Sequence, residues 1–144
     1  MIMQAQAIAR VLWTAVKRLA VLLVVLAVPA VAAAATSPFG AGYTTTVKDQ
    51  APALDGAWRI TFTAKGNYGV TKPPSSTRLI VGKATLKGKT MTFRDSSGLL
   101  ACKGGTAGSY AWTLKGKKLT LKIVKDPCPG RPLILAGAPF TKTG

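Results

Sequence analysis

The sequence predicts an all-β fold, a small antiparallel up-and-down β-barrel of about eight strands, preceded by a signal-peptide helix. Three observations support this prediction. Apolar and polar residues alternate with a period of two through most of the chain after residue 35, as in half-buried strands. Lysine-glycine-lysine segments separate several of these runs, as hairpin turns do. Two cysteines follow a segment typical of export, which favours a small disulfide-closed domain outside the cytoplasm.

Residues 1–35 have the three parts of a signal peptide. Basic residues, the last at Arg18, precede an apolar run over residues 19–28 that Pro29 ends. The alanines that follow supply an A-x-A cleavage site, so we expect cleavage near Ala35 and a secreted or cell-envelope location. An uncleaved membrane anchor is the alternative, although the apolar run is shorter than the ~20 residues that a spanning helix needs.

The rest of the chain is long enough for one domain. Residues 36–53 are rich in Thr, Ser, Gly and Pro with little periodicity, and we interpret them as a flexible leader. Residues 54–144 form the barrel domain, which we expect to be a monomer with a modest core. One disulfide between Cys102 and Cys128 would close a loop of about 27 residues and contribute roughly 3–4 kcal/mol. The alternative is a pair of free thiols.

The strands are predicted from runs in which apolar, β-branched and aromatic residues alternate with polar ones. The clearest run places Trp58, Ile60 and Phe62 on one face and Arg59 and Thr61 on the other. No segment after residue 35 has the length and period of a typical helix. The predicted strands lie at residues 58–62, 68–71, 80–87, 91–94, 110–115, 119–124 and 133–135, with a last strand through Phe140.

Strand parity predicts which loops share an end of the barrel. Successive connections in an up-and-down barrel alternate between its two ends. If Gly66 forms a hairpin, all three lysine-flanked glycine turns lie at one end, and the two cysteine loops lie at the other. This arrangement brings Cys102 and Cys128 together, as a disulfide requires. It also places Trp58 and Arg131 at the same end.

Charge limits the partners. The chain has a net charge of +16, and after the signal peptide 17 Lys and Arg against four Asp give +13. Such a field attracts anionic partners, including acidic ligands and membrane or cell-wall surfaces. Its simplest alternative role is to keep the protein soluble. The sequence has no basic helix, zinc finger or aromatic RNA-binding motif, so we expect no specific nucleic acid partner.

The residues that most catalysis needs are missing. The chain has no His and no Glu, which excludes a Ser-His triad and an imidazole metal ligand. Its carboxylates are far apart in the sequence and fall in loops or at strand ends, which disfavours a paired-carboxylate site. We therefore expect a protein that is not an enzyme and uses no cofactor or metal. The four carboxylates are those of Asp49, Asp55, Asp95 and Asp126.

Two groups of residues are candidates for ligand binding. Five aromatic residues with inward parity either line a pocket or fill the core, since a small barrel has little free interior. These residues are Trp58, Phe62, Phe93, Tyr110 and Trp112. Six lysines near the glycine turns form what we call the basic rim: Lys65, Lys87, Lys89, Lys115, Lys117 and Lys118.

The Gly56-x-Trp58 motif at the start of a strand, with Arg131 late in the chain, resembles the signature of lipocalins in the calycin superfamily. In that family the tryptophan packs across the closed end of the barrel and the arginine lies over it. The resemblance therefore implies a cation–π contact between Trp58 and Arg131, and ligand binding inside the barrel. The run Asp126-x-Cys128-x-x-Arg131 is also similar to small secreted bacterial lipocalin-like proteins, in which this cysteine is bridged.

Asp126 precedes a turn that three prolines stiffen. We expect its carboxylate to pair with Arg131 or to accept backbone N–H bonds in the turn before Cys128. A solvated aspartate in the turn is the alternative.

Three functions are consistent with these residues. The first is a secreted, non-catalytic binding module for a small amphipathic ligand, whose acidic head group binds the basic rim while its apolar tail enters the barrel. The second is a protein-interaction module such as a protease inhibitor, whose leader enters a partner's cleft. The chain also resembles bacterial secreted metalloprotease inhibitors, which are small disulfide-closed barrels that open on a similar Gly-x-Trp motif. The third is an envelope-associated basic protein without a small-molecule ligand.

Overall fold

The computed structural model describes residues 36–144, and the predicted signal peptide with its cleavage site near Ala35 lies outside the described residues. The described chain is a closed antiparallel β-barrel in which each strand pairs with the next and β8 pairs back onto β1. This architecture confirms the predicted all-β barrel. The strands are β1 (Gly42–Val47), β2 (Gly56–Phe62), β3 (Asn67–Thr71), β4 (Arg78–Lys87), β5 (Thr90–Ser97), β6 (Ala107–Lys115), β7 (Lys118–Lys125) and β8 (Phe140–Thr143).

Strand β1 corrects the prediction that residues 36–53 are a flexible leader. It pairs with β2 along its whole length and with β8 over three residues. Tyr43 and Val47 face the core, and the buried Thr45 hydroxyl donates to the Pro139 carbonyl at 2.9 Å. The sequence pattern hid this strand because Thr45 counts as polar, although its hydroxyl is satisfied inside the barrel. Residues 42–47 are therefore a strand of the barrel.

A short helix, α1 (Arg131–Leu135), replaces the strand predicted at residues 133–135. Pro132 lies in its first turn, where a backbone N–H would have no helical partner. Ile134 and Leu135 are buried against the core. The leucine alternation here spans only three residues, which is too few to distinguish a strand from a helical turn. Within the described chain, no helix has the length and hydropathy needed to span a bilayer.

The hairpin predicted at Gly66 is present, and its backbone φ of 82° favours glycine. The Thr63 backbone N–H donates to the Asn67 carbonyl at 2.8 Å, which closes the turn between β2 and β3. The three lysine-flanked glycine turns therefore lie at one end of the barrel, which we call the rim end. The longer connections lie at the opposite end, the floor end, at residues 48–55, 72–77, 98–106 and 126–139.

The barrel interior is filled by its own side chains. Aromatic rings run through it, with centroid separations of 6.2 Å from Phe62 to Phe93 and 5.4 Å from Phe93 to Tyr110. At the rim end, Phe39 packs against Phe62 at a centroid separation of 5.5 Å. Towards the floor end, Trp58 is fully buried. Burial of this apolar surface is the main stabilising contribution to such a small domain.

Replacing Tyr43 with alanine tests whether β1 belongs to the barrel. Tyr43 is 1% exposed, and its hydroxyl donates to the Pro38 carbonyl at 3.1 Å. Large-to-small changes at buried aromatic sites cost about 3–5 kcal/mol, so Tyr43→Ala should lose this much free energy of unfolding in urea denaturation. Thr46→Ala, on the exposed face of the same strand, is the control and should change it by less than about 0.5 kcal/mol. Near-zero effects of both changes would mean that the leader is flexible after all.

Candidate functional site

A buried arginine lies at the floor end. Arg131 is 1% exposed and forms ion pairs with Asp95 and Asp126, at N–O distances of 3.0 Å and 2.7 Å. Its Nη2 also donates to Asp126 Oδ1 at 2.8 Å and to the Thr106 carbonyl at 3.0 Å. A buried charge is tolerated when it is paired and hydrogen-bonded, and this guanidinium meets both conditions. We call the following residues the arginine cluster: Arg131, Asp95, Asp126, Tyr68 and Tyr110.

Asp95 joins three parts of the barrel. It is 5% exposed on β5, and its Oδ1 accepts hydrogen bonds from the Tyr68 hydroxyl and from Arg131 Nη1. Its Oδ2 accepts the backbone N–H of Cys102 at 2.6 Å. Asp95 therefore ties together β3, helix α1 and the connection between β5 and β6.

Asp126 repeats this arrangement on the other side of Arg131. Its Oδ2 accepts hydrogen bonds from the Tyr110 hydroxyl and from Arg131 Nε, and its Oδ1 accepts the Cys128 N–H at 2.9 Å. Both contacts expected for Asp126 from the sequence are thus present. Gly108 leaves the space for them, because a methyl group there would overlap the carboxylate. Among residues 36–144, no buried side-chain N or O atom lacks a hydrogen-bond partner.

Burial and hydrogen bonding shift the titration of the cluster. Burial raises the pKa of Tyr68 and of Tyr110, and the bond from each hydroxyl to an aspartate raises it further. Burial alone would raise the pKa of Asp126, but hydrogen bonds from Arg131, Tyr110 and the Cys128 N–H outweigh it and lower this pKa. At neutral pH the tyrosines are therefore protonated, and Asp126 is ionised beside a charged guanidinium.

The cluster has a structural role. All four carboxylate oxygens of its aspartates accept hydrogen bonds from the protein. An oxygen that acts as a general base must face a substrate, whereas these oxygens face protein donors. The bonds instead hold the connections of the floor end in place.

The predicted disulfide is not formed in the structure, where Cys102 and Cys128 are free thiols. The prediction that the two cysteines share one end is confirmed by the strand order, although their sulfur atoms are not at disulfide distance. Burial, and after it the neighbouring Cys128, raise the pKa of Cys102 to about 11, so its thiol is protonated at neutral pH. Each cysteine is held through its own backbone N–H by an aspartate of the arginine cluster, so the two loops are fixed without a covalent bond.

The contact between Trp58 and Arg131 that the lipocalin resemblance implies is not made. The cation over the Trp58 indole is Lys72, whose Nζ lies 5.3 Å from the ring centroid and donates to the Ala53 carbonyl at 2.7 Å. Arg131 binds two buried carboxylates instead, because charge-assisted hydrogen bonds are stronger than a contact with an indole face. Gly56 begins β2 with a φ of 114°, a conformation that favours glycine.

The aromatic residues of the candidate pocket are core residues. They pack on one another and on the aliphatic core, and an apolar ligand would have to displace them to enter the barrel. The structure therefore places them in the core, which was the alternative to a pocket in the sequence analysis. Their exposures are 0% for Trp58, 4% for Phe62, 0% for Phe93, 0% for Tyr110 and 6% for Trp112.

Two shallow clefts lie on the outside of β2–β4. One, of about 380 Å³, is lined by Arg59, Thr61 and the loop that follows β3. The other, of about 300 Å³, lies over Gly69 and is flanked by Arg78. Small-molecule pockets are usually enclosed, whereas both of these clefts are open to solvent, and the first has a mostly polar lining. We assign neither cleft a ligand.

The charged groups on the exterior of the barrel are almost all cationic. Of the 17 Lys and Arg among residues 36–144, only Arg131 is buried. Both ion pairs in this part of the chain belong to Arg131, so no surface lysine or arginine takes part in one. Asp95 and Asp126 carry their carboxylates inside the fold, which leaves Asp49 and Asp55 as the surface aspartates.

The topology places all six lysines of the basic rim at the rim end, where they are exposed. Lys115 and Lys118 lie directly opposite each other across β6 and β7, a like-charge arrangement that destabilises a sheet. Lys89 Nζ lies 5.4 Å from the centroid of the Trp112 ring, whose indole N–H donates to the Gly88 carbonyl at 3.1 Å. The basic rim is therefore a set of like charges on a fixed framework, and a bound anion would lower its free energy.

Sequence analysis missed the roles of Asp95 and Tyr68. Asp95 continues the inward series of Met91 and Phe93 on β5, and this parity was a usable signal. An aspartate on an inward face needs a buried cationic partner, which Arg131 supplies. The Tyr68 contact depends on the register of β3 against β4, which local pattern does not determine.

Comparison of the chain with protein-family models, with curated proteins and with solved structures found no match in any of the three. The barrel is compatible with a lipocalin-like fold, since it is closed, antiparallel and eight-stranded. Its candidate functional surface is the cationic exterior, which includes the basic rim.

Arg131→Met tests the arginine cluster. The change leaves two buried carboxylates without a cation, and removing one partner of a buried pair costs about 3–5 kcal/mol. We expect a loss of this size in the free energy of unfolding at neutral pH. Arg59→Met, at an exposed position of β2, is the control and should change it by less than about 0.5 kcal/mol. An Arg131→Met protein as stable as the parent would show that the fold does not depend on the cluster.

Proposed function

We propose that this protein is a secreted or envelope-located, non-catalytic binding module that attaches to phosphate-bearing anionic surfaces through its cationic exterior. The observation that carries the proposal is uncompensated charge. Sixteen surface Lys and Arg surround the described barrel, against the side-chain carboxylates of Asp49 and Asp55. A field of this sign concentrates anionic groups at the protein surface and speeds encounter with them.

The arrangement of the charges supports a bound anionic layer. Lys83 and Arg94 lie opposite each other across β4 and β5, as do Lys115 and Lys118 across β6 and β7. Like charges in directly opposite positions destabilise a sheet. Phosphate groups bound over these positions would relieve the repulsion, so the fold should be more stable on an anionic surface than free in solution.

The filled interior favours an outer binding surface over an inner one. The aromatic side chains expected to line a pocket are buried against each other, so an apolar tail would have to displace them to enter the barrel. Of the hypothesis of an amphipathic ligand, we therefore keep only the binding of an acidic head group by the basic rim. A lipocalin-like origin is supported by the closed barrel and by the Gly56-x-Trp58 start of β2. The different partner of Arg131 argues against carrying a lipocalin ligand over to this chain.

We further propose that Cys102 and Cys128 form a disulfide when the protein reaches an oxidising compartment. The two thiols would lose two protons and two electrons to a disulfide-bearing oxidoreductase, which is reduced to its dithiol. The placement of both cysteines at the floor end and the anchoring of both backbones by aspartates support this step, which requires the two sulfur atoms to move closer together. The bond would stabilise the fold by roughly 3–4 kcal/mol through closure of a loop of about 27 residues.

Mass spectrometry of protein recovered from the extracytoplasmic fraction tests the disulfide. We expect a mass about 2 Da below that of the reduced protein, from the loss of two hydrogens. Reduction should lower the free energy of unfolding by roughly 3 kcal/mol. The double variant Cys102→Ser/Cys128→Ser is the control, and a reductant should leave its stability unchanged. Two freely alkylated thiols in the recovered protein would contradict the proposal.

Neutralising the basic rim tests the proposed function. All six rim lysines are changed to glutamine in one variant and to arginine in a matched control that keeps the charge. A basic residue near an anionic membrane contributes about 1 kcal/mol, so the glutamine variant should bind phosphatidylglycerol vesicles at least about tenfold more weakly in cosedimentation. The arginine variant should bind as the parent does. Equal binding by all three proteins would show that the rim is not used.

The salt dependence of the parent protein provides the second measurement. Binding to the anionic vesicles should weaken steeply between about 0.1 M and about 1 M salt, since the Debye length falls from about 10 Å to about 3 Å. Vesicles of phosphatidylcholine alone are the control and should retain little protein. Binding that does not change with salt, or that is equal on neutral vesicles, would rule out electrostatic attachment.

A further inference from the structure

The large apolar side chains that are exposed in the described chain are confined to one side of the barrel. Leu99 is 86% exposed, Leu100 39%, Ile123 52% and Val124 63%. The leucines belong to the connection between β5 and β6, which we call the leucine loop (residues 98–106), and the other two lie on β7. All four therefore lie on the side formed by β4–β7, which we call the docking face. Single exposed apolar residues are common, but their restriction to one side marks an interaction surface.

The docking face is also cationic. Residues 78–125 contain eleven Lys and Arg, of which five belong to the basic rim at the opposite end from the leucine loop, and a single aspartate, Asp95, which is 5% exposed and paired with Arg131. Asp49 and Asp55 both lie in the connection between β1 and β2, which the strand order places across the barrel from the leucine loop. The exposed apolar residues lie towards the floor end of this side together with Arg78, Arg94, Lys103 and Lys125, and the surface aspartates lie on the other side.

The leucine loop is held at its base while its tip is exposed. The Leu100 N–H donates to the Leu79 carbonyl at 2.9 Å, and the Cys102 N–H donates to Asp95 at 2.6 Å. The fold therefore fixes the exposed position of Leu99. An anchored loop that presents an apolar tip to water is suited to contact with another apolar phase.

Cations flank the exposed leucines. Lys103 is exposed within the leucine loop, and Arg94 Nη1 donates to the Gly105 carbonyl at 3.0 Å, which holds its charge at the base of the loop. In an anionic bilayer, apolar side chains enter the boundary between head groups and acyl chains while nearby cations meet lipid phosphates. A soluble phosphate polymer would satisfy the cations but leave Leu99 and Leu100 in water. The combination favours a lipid surface over a wall polymer.

We propose that the docking face attaches this protein to an anionic lipid bilayer, with Leu99 and Leu100 inserted at the boundary between head groups and acyl chains. Lys103 and Arg94 bind lipid phosphates beside them. This inference rests on the proposed function and names the anionic surface as lipid.

Serine variants test the insertion. Leu99→Ser/Leu100→Ser is compared with Pro52→Ser/Ala53→Ser, which changes two exposed residues in the connection between β1 and β2 on the opposite side. The probes are phosphatidylglycerol-containing vesicles and soluble inorganic polyphosphate. The leucine variant should bind vesicles at least about tenfold more weakly, because the burial of two leucine side chains is lost. Its binding to polyphosphate and its unfolding midpoint in urea should match the parent, and the control variant should match the parent in every measurement.

The outcomes separate the two proposals. Vesicle binding by the leucine variant at the strength of the parent would overturn insertion and leave the proposed function standing. An equal loss of vesicle and polyphosphate binding would also overturn insertion, since the leucines would then act without a bilayer. A parent protein that binds neither probe at low salt would instead overturn the proposed function.

Discussion

The ion pairs of Arg131 with Asp95 and Asp126 are the contacts on which the floor end of the barrel depends. They join helix α1 to β5 and to the connection between β7 and α1. Two tyrosine hydroxyls and two cysteine amides complete the same network. The side chains of Arg131 and of both aspartates are buried, so each charge is tolerated only while its partners are present. A small barrel with modest apolar burial thus positions its longest connections with polar contacts that have specific geometry.

The same network shapes the exterior. By taking Asp95 and Asp126 inside, it removes half of the chain's aspartates from the surface and leaves the surrounding lysines uncompensated. It also anchors the leucine loop through the Cys102 amide and the Thr106 carbonyl, which keeps Leu99 exposed. The buried cluster and the proposed lipid surface are therefore two consequences of one arrangement of charges.

Much of the fold could be predicted from local pattern, and the failures have physical causes. Period-two alternation and the lysine-flanked glycine turns were enough to predict an up-and-down barrel and the end at which both cysteines lie, but not the strand β1 that pairs with β8 to close it. Strand β1 was missed because Thr45 is polar in type but satisfied inside the barrel, and α1 was missed because its apolar pattern is too short to have a period. The partner of Arg131 was missed because it depends on three-dimensional competition between an indole and two carboxylates. Pocket volume could not be predicted, since it depends on how completely side chains fill the interior.

Hydrogen–deuterium exchange of the protein bound to phosphatidylglycerol vesicles is the most direct test of a surface divided into a cationic, apolar docking face and a face that carries the aspartates. Exchange should slow on binding in the leucine loop and along β7, while the connection at residues 48–55 exchanges as it does in the free protein. Protection centred on residues 48–55, or spread evenly around the barrel, would contradict a docking face on β4–β7.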